Sequence, residues 1–321
     1  MKRMLAAAFL IAALLPVGAA AQSFPSKPIK IIVPYSPGGT TDLVARLVAQ
    51  KLSERFGQPV VVDNKPGANG MIGADAVAKA APDGYTLGIA SPGTHAANAS
   101  LYKAMPYDTI KDFTPVTLAV SAPMLLIVHP SLGVGSVKEL IAAAKAKPGT
   151  ISYASGGSGS SQHLAMELLK NMAGIDMTHV PYKGSSASYP DLLGGTVKAE
   201  MDVLPTALPP VKSGRLKVLA TGSAKRLAIL PDVPTVAEAG IPGYESSSWY
   251  GFVAPANLPP DVLQKLNGEI VRALQQPDVS EKLVNAGVIV VAGTPQEFAA
   301  HIRSEMDKAA RIVKAANIQP D

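Results

Sequence analysis

Short apolar runs alternate along this chain with longer segments whose apolar residues recur at helical spacing. Ile29–Val33 reads as a buried strand, and Pro34–Gly39 as a turn-rich loop behind it. From about Thr41 to Phe56, residues Leu43, Leu47, Val48, Leu52 and Phe56 share one helical stripe, with Gly57 as the stop. A strand at Val60–Val62, a loop from Asn64 to Gly70, a helix through Ala81 and a strand at Tyr85–Ala90 continue the alternation. A second series follows: helix Val137–Ala146, strand Ile151–Ala154, a Gly/Ser loop, helix Gln162–Met172, strand Met177–Val180, then strands Ala199–Leu204 and Leu216–Thr221. Beyond Gly222 come a long irregular segment rich in Pro and Gly, a strand near Tyr250–Ala254, two helices between Pro260 and Ala286, strand Val288–Val291 and a last helix starting near Pro295. This order predicts α/β units on largely parallel sheets. It also suggests two lobes, with residues 22–122 and 226–321 in lobe 1 and residues 123–225 as an inserted lobe 2. Strands near 114–128 and 219–225 cross between them.

Thr114–Val137 carries no charged residue, but Pro115, Pro123 and Pro130 interrupt it. Proline inside a helix costs about 3 kcal/mol, so the stretch reads as strand and not as a membrane span. Residues 1–21 show a basic start at Lys2 and Arg3, an apolar run from Leu5 to Leu15, a breaker at Pro16 and small residues before Gln22. That is the pattern of a secretory signal peptide cut before Gln22, and its apolar run is shorter than the roughly 20 residues that span a bilayer. Losing it lowers the formal net charge from +5 to +3. No basic cluster remains to mark a nucleic-acid surface.

The 321 residues are 47% hydrophobic and 17% charged, with no Cys, as in a compact globular protein of one large or two ordinary domains. The lack of Cys removes disulfides, thiolate metal sites, cysteine nucleophiles and a lipidated N-terminal cysteine. The five histidines show no metal-ligand spacing, and no phosphate-loop or dinucleotide motif is present.

Two loops, Ser36–Asp42 and Ser155–His163, each join the end of a strand to the start of a helix and are built from Gly, Ser and Thr. A helix start offers unpaired N–H groups and about half a positive charge, so these loops are candidate cradles for a carboxylate or phosphate. The alternative is plain capping by Thr40 or Thr41 and by Ser160 or Ser161. His163 beside Ser160 and Ser161 raises a serine-hydrolase alternative, although Gly156–Ser160 lacks the last Gly of the nucleophile elbow. Asp202, at a strand end, either faces a ligand or fixes a loop. Lys183 either pairs with a carboxylate or is solvated. Trp249 and Tyr250 suit core packing better than ligand stacking.

The chain resembles the Bug-type substrate-binding proteins of tripartite tricarboxylate transporters. The matching pieces, in order, are Tyr35–Asp42, Val62–Gly70, Asp83–Thr86, Thr94–Asn98, His179–Gly184, Leu230–Thr235, Glu238–Gly240 and Pro242–Glu245. The resemblance implies a periplasmic-binding-protein type II-like α/β fold, two lobes with parallel-rich sheets joined by two crossover strands. It implies a periplasmic, monomeric receptor that captures a small organic acid and delivers it to membrane permease subunits, with no catalytic residue, cofactor or metal. Presentation of the ligand to a membrane sensor is the alternative role. Carried onto this sequence, it places Tyr35, Gly38, Gly39, Thr40 and Thr41 in the first cradle and Ser91 and Thr94 beside them. Ser155, Gly159, Ser160 and Ser161 then form the opposite cradle, with Asp202 at the rim. Met201–Leu204 departs from the aromatic and Asn expected around Asp202, which leaves its role open.

Overall fold

The computed structural model describes residues 24–316 and residue 318, so the leader expected at 1–21 and its cut before Gln22 lie outside the described residues. Strand β1 (Ile29–Val33) leads into α1 (Thr40–Phe56), β2 (Val60–Asn64), α2 (Met71–Ala78) and β3 (Thr86–Ala90). A π-helical turn at Gly93–Ala97 runs into α3 (Asn98–Leu101), and β4 (Phe113–Val128) follows. Next come α4 (Val137–Ala146), β5 (Ser152–Ser155), α5 (Ser161–Ala173), β6 (Thr178–Pro181), α6 (Ser185–Leu193), β7 (Ala199–Val203), α7 (Leu204–Lys212) and β8 (Lys217–Thr221). The chain ends with β9 (Ser247–Pro255), α8 (Pro260–Gln275), α9 (Pro277–Asn285), β10 (Ile289–Val290) and α10 (Pro295–Ala315).

The strands form one continuous path, β2-β1-β3-β9-β4-β7-β5-β6, with β8 and β10 also pairing on β4. Within each half the pairing is parallel: β2, β1 and β3 on one side, β7, β5 and β6 on the other. Strands β9 and β4 are antiparallel to their neighbours and lie between these sets. β4 pairs with β9 as far as Pro123 and with β7 from Met124 onward, so the proline stands where the strand changes partner. Pro115 sits beside a register shift. Both are places where a missing ladder N–H is tolerated. Near the second crossing, Gly222 donates to Met124 O (2.8 Å) and accepts from Ser246 N (2.8 Å), so the chain just past β8 lies against the switch point of β4.

The periodic elements fall where the spacing predicts, with two corrections. In α1 the buried face is Val44, Ala45, Val48, Ala49 and Leu52, whereas Leu43, Leu47 and Phe56 are only partly covered. The alanines let the helix lie close to the sheet and turn the larger leucines to its flank. The two helices α6 and α7 have no counterpart in the expected elements, because Pro190 in one and Pro205, Pro209 and Pro210 in the other read as breakers. α7 is held by burial of Leu204, Ala207 and Leu208 over the sheet, which outweighs its weak intrinsic propensity. Among the described residues no helix is long and apolar enough to cross a membrane.

Candidate functional site

Four parallel strands, two from each half, point their carboxyl ends at one another across the switch region. The loops that follow β1, β3, β5 and β6 therefore meet, as ligand-binding loops of open α/β sheets do. Together they line one shared, partly open cavity. Tyr35, Ser36, Gly39, Thr40 and Thr41 line it after β1, and Ser91, Pro92 and Gly93 after β3. Gly156, Ser160, Ser161 and Gln162 line it after β5, Gly184, Ser185 and Ser186 after β6, and Ser248 and Tyr250 of β9 complete the wall. None of these side chains is charged.

Three helices begin at this cavity. α1 starts behind Gly39 and α6 behind Gly184, and neither has a side-chain cap; in the first turn of α6, Ala187 N donates to Gly184 O (3.1 Å). α5 is capped by Ser160, whose Oγ accepts from His163 N (3.2 Å). The capping alternative thus holds for Ser160, while Thr40 and Thr41 lie inside α1 and cap nothing. Thr40 Oγ1 is buried with no hydrogen-bond partner. The Tyr35 hydroxyl lies 2.8 Å from Ser91 Oγ, and burial pushes its pKa up to about 12, so it is a neutral hydrogen-bonding group.

Of the candidates taken from the sequence, Tyr35, Gly39, Thr40, Thr41, Ser91, Ser160 and Ser161 line the cavity, and five do not. Gly38 turns its N–H outward to Asp42 Oδ2 (3.1 Å). Burial pushes the Asp42 carboxyl up, but Arg46, this amide and Asn64 outweigh it and hold it below the usual range. Thr94 is fully buried behind Ser91, with its Oγ1 3.1 Å from Ser91 N. Ser155 is buried, its Oγ 2.6 Å from His179 Nε2 and 3.1 Å from Gly157 N. Gly159 shapes the turn at φ +81°, where an added Cβ would stand 2.3 Å from Leu101 Cδ1. It is needed for close packing and does not line the cavity.

Asp202 is not at the rim. It is wholly buried on β7, where Gln162 Nε2 (3.2 Å), Tyr189 Oη (2.8 Å) and Thr206 Oγ1 all donate to it. Glu200 lies two residues away on the same face of β7 and receives Ser188 Oγ at 2.7 Å, while its other oxygen is buried without a partner. Burial, and then repulsion from Asp202, hold the Glu200 carboxyl well above the ordinary carboxylate range. These bonds tie α5, α6 and α7 to the strand beneath them.

His163 does not reach either neighbouring hydroxyl as a base. Its Nδ1 accepts from Gly159 N (3.0 Å), and its ring stacks on His179 with centroids 4.0 Å apart. Ser161 Oγ instead lies 3.1 Å from Ser248 Oγ. Lys183 meets the opposite lip through its main-chain carbonyl, which accepts from Ser36 Oγ (2.7 Å), and Ser186 Oγ donates back to Pro37 O (3.0 Å). The two lips are thereby hydrogen-bonded to each other.

The sequence-derived list lacks Gln162, the Gly184–Ser186 corner, Ser248 and Tyr250. The corner repeats the strand, glycine, hydroxyl, helix order of the other two, but Pro190 hides its helix. Trp249 packs in the core against Phe298, as the sequence suggests, whereas Tyr250 is a cavity wall.

The tripartite tricarboxylate transporter family receptor (TctC) model matches residues 44–318. BugT of Bordetella pertussis is 39% identical over 307 residues, covering 95% of this chain and 94% of that protein. The solved structure of R. palustris Rpa4515 with adipate matches with a TM-score of 0.90 at 41% identity, covering 93% of this chain and 100% of that one. MatC from Rhodopseudomonas palustris with bound malate matches with a TM-score of 0.87 at 33% identity, over 90% and 100% of the two chains. Family model, full-length relative and solved structures agree, and the chain belongs to the tripartite tricarboxylate transporter receptor family.

Proposed function

We propose that this chain is a monomeric, non-catalytic, exported solute receptor that closes lobes 22–122 with 226–321 and 123–225 on a small organic carboxylate and hands it to permease subunits. The observation that carries the reading is the cavity wall, where three helix starts, two of them uncapped, converge with neutral hydroxyl groups and no charged side chain. A carboxylate buried without a cationic partner is tolerable only where several N–H and O–H donors converge on it. Tyr35, Gly39, Thr40, Thr41 and Ser91 supply one side, and Ser160, Ser161, Ser185 and Ser186 the other. The buried, unpartnered Thr40 hydroxyl is a donor with no task in the protein itself. Adipate in Rpa4515 and malate in MatC support a dicarboxylate as the ligand. Binding both halves better when shut is what couples the ligand to closure.

The single Trp, Trp249, stands between the cavity residues Ser248 and Tyr250 and gives the reaction its own optical reporter. Titration of the mature chain with a panel of mono-, di- and tricarboxylates, read by Trp fluorescence and calorimetry, is expected to give one-to-one saturable binding to at least one acid, with no turnover. Absence of binding by every acid up to millimolar concentration would overturn the carboxylate assignment.

A further inference from the structure

The side chains of the cavity wall are mostly hydroxyl groups, which can donate or accept, and Gln162 adds the one side-chain oxygen there that can only accept. It is the second residue of α5, 93% buried, and lines the cavity beside the Ser160–Ser161 helix start. Its amide cannot turn freely. Nε2 donates to Asp202 Oδ1 at 3.2 Å, and the other Asp202 oxygen is engaged by Tyr189 and Thr206. A carboxylate oxygen at that place requires the nitrogen end of the amide, which leaves Oε1 at the cavity wall, 3.3 Å from where a Cβ on the cavity residue Gly156 would stand. Within the protein Oε1 has only the Ser161 hydroxyl, at 3.2 Å, and that single proton is contested by Ser248 Oγ at 3.1 Å.

From this geometry we propose that Gln162, oriented by Asp202, selects an organic acid that carries a hydroxyl within a few bonds of the carboxylate held at the start of α5. The inference rests on the carboxylate reading above and refines it. A buried carbonyl oxygen demands a donor, and a ligand lacking one leaves it desolvated and unpaired. The donor is a hydroxyl and not an ammonium, because no acidic side chain lines the cavity to balance a positive charge and both Asp202 oxygens are already engaged. Asp202 is a positioning residue here, since it sets which end of the amide faces inward without lining the cavity itself.

The test uses the mature full-length chain and matched acids with and without a 2-hydroxyl: propanoate and lactate, butanedioate and malate, hexanedioate and 2-hydroxyhexanedioate. Calorimetry is expected to give the hydroxylated member of the binding pair an affinity about tenfold higher or more. Gln162→Met removes the acceptor at similar length and is expected to cut that ratio about fivefold or more while the plain acid still binds. Asp202→Asn, which lets the amide turn over, is expected to do the same through a residue outside the cavity, and a fold defect there leaves Gln162→Met to decide. A smaller preference in the natural chain, or a preference that survives Gln162→Met, overturns the role of Gln162 and leaves the carboxylate reading standing. Failure of every acid to bind overturns both.

Discussion

At the scale of single residues, Thr40 separates a ligand-directed group from a structural one. Its hydroxyl is buried, lines the cavity and bonds to nothing in the chain. Thr40→Val keeps the shape and removes only that group, so the folded protein loses no internal hydrogen bond and sheds an unpaired polar atom. Thermal melting of the unliganded variant is expected at or slightly above that of the natural chain, while calorimetric affinity for the acid falls about tenfold, the worth of one donor to a charged group. An unchanged affinity would remove Thr40 from the cradle. Gly159 shows the opposite pattern. The sequence places it in the cradle, yet its positive φ and the nearness of Leu101 make it part of the scaffold.

At the scale of elements, the stack of β5, α5 and β6 carries a pH dependence. Burial lowers the imidazole of His163 to about 4 and of His179 to about 3, with the latter further lowered by His163; His95, within the π-helical turn, lies near 3 for the same reason of burial. His163 and His179 face Tyr153, Glu167 and Lys170, and His95 faces Thr94, Tyr107 and Phe113. Below pH 6.5 the unfolded chain binds protons that the folded chain refuses. Stability then falls with pH by about 1.4 kcal/mol per unit for each histidine still neutral. Glu200 acts the other way, because its raised value makes the folded state hold a proton that the unfolded state releases as pH rises. His301 is lowered by burial as well, so four histidines draw stability down as the pH falls below 6.5, and Glu200 offsets only part of that loss. Melting temperature is therefore expected to fall as the pH is lowered from 6.5 to 4.5. A flat profile would show that the histidines are not buried as described.

Elements were legible in the sequence where a periodic apolar pattern coincides with burial. Strands β1, β3, β4, β5 and β7 and helices α4, α5 and α10 fall within a residue or two of their expected places. The proline-interrupted helices α6 and α7 were not, because their stability comes from tertiary burial and from bonds to Glu200 and Asp202 that no local pattern records. The site divides along the same line. Loops with a glycine followed by hydroxyl residues at a strand end announced two of the three helix starts. The inward end of the Gln162 amide depends on a carboxylate forty residues away, and only the folded chain brings the two together.

For the whole molecule, the feature with the widest reach is β4. Its first half completes one sheet through β9 and its second half completes the other through β7 and β8, with no loop between. Melting either side would strip a neighbour from the same continuous ribbon and leave unpaired main-chain groups on what remains. Independent denaturation of the two halves is accordingly disfavoured, and differential scanning calorimetry should record one peak whose van't Hoff and calorimetric enthalpies agree. A chain made this way keeps both halves on a shared spine, so that neither has to survive alone.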